Sequence, residues 1–196
     1  HLIEQTMNSI GGPTAIVPET LSYEPGKLVL IDQTRLPGEL VTLECRTVQQ
    51  AWDAIQRLVV RGAPAIGIAA AYGVCLACAP GESARSAYLR AIDHLATSRP
   101  TAVNLFWALD RMKSVIEATE SDSDLLAALQ QEAKSIHDED RVMCKLIGKH
   151  GAEVLSGAHR VVTHCNAGGL ATSMWGTALA PIYHLHQAGS PIEVFA

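Results

Sequence analysis

Aromatic side chains are scarce in this chain. Phe, Trp and Tyr make up 5% of 196 residues, against 48% apolar residues overall and 15 glycines. A core with so few rings has to be built from Ala, Leu, Ile and Val, and the glycines suit close backbone approaches. Clustered positive charge is lacking as well. Lys and Arg occur singly and the net charge is −5, so no basic stripe exists to neutralise nucleic-acid phosphates or to lie on an anionic membrane. Charged residues make up 18%, which is an ordinary globular share and not that of a disordered chain. The length fits one or two domains with a real hydrophobic core.

Long apolar runs are missing too. The charge-free stretch 65–79 would rise only about 22 Å as a helix, short of a hydrocarbon core of about 30 Å. It reads as a buried helix, and no secretory leader pattern is visible. The five cysteines, at 45, 75, 78, 144 and 165, show no zinc-like spacing. Cys75 and Cys78 form a CxxC inside the apolar "AAAYGVCLACA", with no His or second CxxC nearby, so packing is their expected role. No metal site follows from these residues, and free thiols fit a reducing compartment. The chain opens at His1 and stops in the strand-like "IEVFA", from which we expect a longer natural polypeptide.

Two strands are expected at 27–33 ("KLVLIDQ") and 40–45 ("LVTLEC"), around the turn signal "LPGE". Thr47 offers an N-cap for a helix whose Trp52, Ile55 and Val59 share a face, and Arg61-Gly62 breaks that helix. Pro64 suits the first turn of the next helix. Further helices are expected over 83–96, from about 102 to 118 with Leu105, Leu109, Met112 and Ile116 on one face, and over 123–147. In the last, Leu125, Leu129, Ile136, Met143 and Ile147 fall in phase, and Gly148 and Gly151 end it. Then the character changes. "HRVVTHC" reads as a strand, "TSMWGTALAPIYHLHQAG" as a helix that Pro181 kinks or divides, and "PIEVFA" as a second strand. This is a βαβ unit, so a mostly helical domain with a small antiparallel sheet (1–150) is expected to precede the opening of a parallel α/β domain (151–196).

Polar groups gather at element ends in four places. Arg61 stands before Gly62, Ala63 and a proline-initiated helix, where a guanidinium and free backbone N–H groups can hold a phosphate; alternatively Arg61 caps the preceding helix. Arg99, in "SRPTAVN", is either a second anion ligand or a solvated turn residue. Asp140 falls near the apolar phase of its helix and so is placed to reach an arginine across the domain boundary; metal binding there lacks further ligands at suitable spacing. Last, "HCNAGGLAT" (164–172) sets Cys165 and Asn166 at a strand's carboxyl end, where parallel α/β folds collect ligands. Gly168 and Gly169 allow close approach, and a helix beginning near Thr172 would aim its N–H groups at the same place. Cys165 is then a thiolate, an acid or a core thiol. His164 points to the opposite face of its strand and is disfavoured as a partner.

Taken together, "IDQTRLP" (31–37), "VRGAPAIGIAAAYG" (60–73), "RPTAVNLFWALDRM" (99–112), "HDEDRVMCKLIGKHGAEVL" (137–155) and "THCNAGGLAT" (163–172) resemble the methylthioribose-1-phosphate isomerases. The wider group also holds ribose-1,5-bisphosphate isomerases and regulatory subunits of a translation-initiation exchange factor. The resemblance implies a Rossmann-like second domain and an aldose–ketose isomerisation of a sugar phosphate in methionine salvage. It also implies a cytoplasmic homodimer with no cofactor and no nucleic-acid or membrane partner. Carried over by position, Cys165 is the catalytic cysteine, Arg61, Gly62 and Ala63 form the substrate loop, and Arg99 is the second phosphate-side arginine. Asn166, Gly168, Gly169 and Asp140 stand around them as supporting groups. The family's glutamine, proton-donating aspartate and Asn-Lys pair would fall after residue 196. Where the family usually reads Gly-Ala-Leu, this chain has Gly168-Gly169-Leu170.

Overall fold

A computed structural model describes residues 19–77, 83–190 and 192–196; Cys78 and the end of the long apolar run lie outside them. The N-terminal sheet has three antiparallel strands in sequential order: β1 (Leu21–Glu24), β2 (Lys27–Ile31) and β3 (Thr42–Cys45). Sequence reading misses β1, which is four residues long and carries only one large aliphatic side chain. Its register pairs Leu21 with Leu30, which in turn pairs with Leu43 of β3.

Five helices pack on this sheet or on one another: α1 (Val48–Gln56), α2 (Ala63–Val74), α3 (Ala84–Ala96), α4 (Val103–Ala118) and α5 (Leu125–Val154). A capping box at Thr47 and Gln50 starts α1. Helix α2 is apolar on every side and buried from Ala65 to Val74, as befits a helix enclosed by its neighbours. It touches α1, α3, α4, α5, β1 and β2. The stripe Leu105, Leu109, Met112 and Ile116 of α4 faces this core, together with Leu125, Leu129 and Ile136 of α5. Tyr23 of β1 stacks on Tyr72 of α2 with ring centroids 4.6 Å apart, and its hydroxyl accepts from Gln130 Nε2 of α5 at 3.0 Å.

Helix α5 departs from expectation at its C-terminal half. Gly148 and Gly151 do not end it; the helix runs through residue 150 to Val154. Both glycines are buried or half-buried contact points for a later helix, α6 (Ala180–Gln187): a Cβ on Gly148 would lie 3.1 Å from the Ala180 carbonyl oxygen, and one on Gly151 would lie 2.3 Å from Pro181 Cγ. The buried face there is Asp140, Cys144, Gly148 and Ala152, so Met143 is turned outward and 54% exposed, beside Val142 and Leu146. A heptad step from Ile136 to Met143 drifts by only about 20°, so the change of face comes from the partner: α6 seats on the i, i+4 row of Asp140, Cys144, Gly148 and Ala152.

After α5, β4 (Arg160–Val162) and β5 (Glu193–Phe195) pair in parallel, with α6 between them in sequence. This is the expected strand–helix–strand unit, so the chain is α/β: an antiparallel sheet with helices, followed by a parallel sheet. Val162, Val194 and Phe195 are exposed on that two-stranded sheet. Among the described residues, no helix is long and apolar enough to cross a membrane.

Candidate active site

The turn after β4 is not the strand-to-helix turn expected. A short 3-10 turn spans Gly169–Ala171, and bends continue until α6 begins at Ala180. No helix starts near Thr172. The Thr172 hydroxyl donates to the Met174 carbonyl at 2.9 Å and accepts from Gly176 N–H at 3.1 Å, while Trp175 and Gly176 take positive φ. These bends cannot continue a helix. Pro181, expected as a kink, sits in the first turn of α6, where its missing N–H costs nothing.

Cys165 lies just past the end of β4, exposed, with φ at +70°. For a residue with a Cβ this conformation costs on the order of 1–3 kcal/mol and persists where surrounding contacts fix it. The other described cysteines are buried: burial pushes the Cys45 thiol up to about 11 and Cys75 up to about 12, and also raises Cys144, which lies 3.8 Å from Asp140. Such thiols stay protonated and inert near neutral pH. Cys165 alone among the four is open to a small molecule. Asn166 is exposed beside it, whereas Gly168 is half-buried and Gly169 buried.

The turn is held from several sides. Thr20 Oγ1 donates to the Gly169 carbonyl at 2.6 Å, and Gln33 Nε2 donates to the Leu170 carbonyl at 2.7 Å. Asp140, 7% exposed, accepts the Ser173 N–H at 2.7 Å. Asp140 therefore meets a backbone amide rather than the arginine expected for it. Gly62, with φ +105° and ψ 132°, packs directly on Ala171; a Cβ there would lie 2.4 Å from Ala171 Cα. Only glycine combines that backbone with that approach.

This contact brings the Arg61 segment to the Cys165 turn. Ala63 is the exposed first residue of α2, whose N-terminus has no side-chain cap. Arg61 is exposed, and its side chain makes no hydrogen bond or ion pair with a described residue, so it does not cap α1. Arg99, half-buried in the segment leading into α4, is likewise without a side-chain partner there. Most arginines differ: Arg35, Arg46, Arg85, Arg111, Arg141 and Arg160 each pair with an acid. Arg57 is also without a side-chain partner among the described residues. The first turn of α4 approaches α2 closely, since a Cβ on Gly67 would lie 2.8 Å from the Asn104 carbonyl oxygen. Among the described residues, Arg61 is thus unpaired immediately before the N-terminus of α2, where a guanidinium and free backbone N–H groups suit an oxyanion ligand, and Arg99 is unpaired ahead of α4, which packs on α2.

The surface grooves along α5, one lined by Val142 and Leu146 and one by Arg141, Lys145 and Met174, include neither Cys165 nor Arg61 nor Arg99. Among the described residues no group of three or more His, Cys, Asp or Glu side chains converges as a metal site. Sequence reading misses Thr20 and Gln33, which donate to the turn from the far end of the chain. No local pattern marks either, although Gln33 lies within "IDQTRLP".

Residues 59–196 match the model of the Initiation factor 2 subunit family. The chain is 57% identical to the methylthioribose-1-phosphate isomerase of Rhodopirellula baltica, covering 91% of this chain and 54% of that relative. It is 52% identical to the 5-deoxyribose 1-phosphate isomerase of Moorella thermoacetica, covering 90% of this chain and 52% of that one. Among solved structures, 5-methylthioribose 1-phosphate isomerase from Pyrococcus horikoshii superposes with a TM-score of 0.83 at 37% identity, covering 91% of this chain and 52% of the other. A structure described as translation initiation factor eIF-2B, subunit delta, from A. fulgidus gives 0.81 at 40% identity, with 90% and 53% covered. The chain spans about half the length of the curated relatives it matches. With the family model covering more than half of the chain, this protein belongs to the Initiation factor 2 subunit family.

Proposed function

We propose that the full-length protein is an aldose–ketose isomerase that converts 5-methylthioribose 1-phosphate to 5-methylthioribulose 1-phosphate, a step of methionine salvage. The observation that carries this reading is the exposed, positive-φ Cys165 on a turn packed against the Arg61–Gly62 segment. Identities of 57% and 52% to relatives named as sugar 1-phosphate isomerases support it.

The phosphate of such a substrate sits on the anomeric oxygen, so the ring cannot open as a free hemiacetal does. Protonating the ring oxygen breaks its bond to C1 and leaves a cationic carbon. Either C2 then loses its proton to give an enol that is reprotonated at C1, or a hydride passes from C2 to C1. In both cases the C2 hydroxyl gives up its proton and becomes the ketone. Arg61 and Arg99 hold the phosphate, because orientation supplies much of such a rate, and Cys165 acts as proton donor or stabiliser at the reacting carbons. The aspartate partner, the glutamine and the Asn-Lys pair belong to the half of the relatives' length that this chain does not span. On this reading residues 1–150 form the first domain and residues 151–196 open the second. The working protein is a cytoplasmic homodimer that binds no nucleic acid, and the 196 residues alone are inactive.

Two other readings have an observation behind them. Relatives named for 5-deoxyribose 1-phosphate suggest that C5 substituents vary while the C1 phosphate stays, with ribose 1,5-bisphosphate the doubly phosphorylated limit. The likeness to an initiation-factor subunit favours a regulatory protein without turnover. Incubating the full-length protein with each of the three sugar phosphates, and following the ketone carbon by ¹³C NMR, separates them. We expect fastest turnover of 5-methylthioribose 1-phosphate. Preference for the bisphosphate would change the substrate, and no turnover of any would favour the regulatory reading. Deuterium at C2 that is retained at C1 would mark hydride transfer, and its complete exchange with solvent the enol.

A further inference from the structure

The stretch "IDQTRLP" contributes no group to the proposed chemistry, yet its Gln33 is only 5% exposed and lies between the two segments that do. Its backbone N–H donates to the Val59 carbonyl at 3.0 Å, and Val59–Val60 run straight into Arg61. Its side-chain Nε2 donates to the Leu170 carbonyl at 2.7 Å, on the turn that follows Cys165. One residue thus ties the Arg61 segment to the Cys165 turn.

The surroundings fix Gln33 in place. Asp32 N–H donates to the Val41 carbonyl at 2.9 Å, and Asp32 Oδ1 accepts from both the N–H and the hydroxyl of Thr34. Thr20, whose carbonyl accepts from Ile31 N–H at 3.0 Å, donates to Gly169, so two consecutive carbonyls of the turn are bound from the same end of the sheet. The amide of Gln33 is used on one side only: Oε1 is buried with no hydrogen-bond partner among the described residues. Turning the amide over would set two acceptors against each other, so the donor must face Leu170. A buried, unsatisfied acceptor is destabilising, and a Met or Leu of similar volume would avoid it. The donor side is what a glutamine adds at this position.

We propose that Gln33 is a positioning residue that holds the Cys165 turn in register with the Arg61 segment, so that thiol and phosphate ligand keep one spacing. The kinetic consequences rest on the isomerase reading; the structural one does not. Gln33→Met removes the donor at similar volume, and Gln33→Glu replaces it with a group that can donate only when protonated. In the full-length protein, hydrogen–deuterium exchange should rise at least tenfold in peptides covering 165–176 of Q33M, while peptides from α4 stay at wild-type rates. With 5-methylthioribose 1-phosphate, kcat should fall at least tenfold and KM shift less than threefold, because Arg61 still meets the phosphate. Q33E should show its largest loss near pH 8 and recover toward wild type near pH 5.5, each rate taken relative to wild type at the same pH. Wild-type exchange and kcat in Q33M would overturn the proposal. So would faster exchange spread equally through α4, which would make Gln33 a packing residue. A wild-type protein without turnover would sink the isomerase reading but leave the exchange result to decide the role of Gln33. Should Q33M be recovered unfolded, the pH dependence of Q33E decides, and a flat ratio overturns the proposal.

Discussion

Substituting Gly62 by alanine probes the joint between the two halves of the candidate site. Two costs can be worked from the structure. The backbone at φ +105° and ψ 132° lies outside the regions that residues with a Cβ readily adopt, which costs about 1–3 kcal/mol. The new Cβ would also lie 2.4 Å from Ala171 Cα and 2.7 Å from its carbonyl oxygen, a backbone that cannot rotate aside. Overpacking of that kind typically costs about 1–3 kcal/mol. Gly26 is the internal control: its φ is +78°, but nothing lies within 4 Å of the Cβ that would be added. Gly26→Ala therefore suffers only the backbone cost, roughly 1–2 kcal/mol. Urea denaturation of the two variants should show Gly62→Ala lower in midpoint at an unchanged slope, the excess combining the Ala171 contact with the less favourable Gly62 backbone. A Gly62→Ala protein no less stable than Gly26→Ala would refute the close contact between the Arg61 segment and the Cys165 turn.

Three further outcomes follow from the same geometry. Arg61→Ala and Arg99→Ala should each weaken binding of a sugar-phosphate inhibitor to the full-length protein by about 1.5–3 kcal/mol, the range for a charge-assisted contact, as read by calorimetric titration; unchanged affinity in both would make them surface residues. Burial lowers the pKa of His137 from its ordinary 6.5, with Asp138 and Asp140 partly opposing, so the unfolded chain takes up a proton that the folded one resists. Stability should therefore be complete above about pH 6.5 and fall as the pH drops below it, by no more than about 1.4 kcal/mol per pH unit for one proton, and His137→Gln should flatten that loss in urea midpoints taken at pH 7.5 and 5.5. An equal pH dependence in the variant would remove His137 as the cause. Iodoacetamide should modify Cys165 in the native protein well before Cys45, Cys75 or Cys144, as followed by peptide mass spectrometry, and early modification of Cys75 would contradict its burial in α2.

Helical periodicity carried the N-terminal half well. The apolar stripe of α4 and the all-apolar α2 are visible as patterns because burial follows the 3.6-residue repeat. Where a partner element decides which face is buried, the pattern misled. Gly148 and Gly151 look like helix ends in sequence, but they are clearance for Ala180 and Pro181, residues far along the chain. The bends from Thr172 to Gly176 are not legible in the sequence for a related reason: Thr172 holds them through its hydroxyl, a choice that composition does not reveal. In the candidate site, Cys165 at a strand end and Arg61 before a proline-led helix were legible as local punctuation. The groups that hold them together were not, since Thr20, Gln33 and Asp140 act on the turn through single bonds to its backbone carbonyls and amides. Asp140 left one trace, its place on an apolar face.

The most direct test replaces Cys165 by serine in the full-length protein and measures kcat on 5-methylthioribose 1-phosphate together with Tm. Serine is close in volume, and the side chain is exposed with no hydrogen-bond partner among the described residues, so Tm should hold within a degree or two of wild type. The loss of an acidic thiol should lower kcat by about 10²-fold or more, as is typical for a general acid–base group. A C165S protein with wild-type kcat would contradict the account, because the turn held by Thr20, Gln33, Gly62 and Asp140 would then position nothing that reacts.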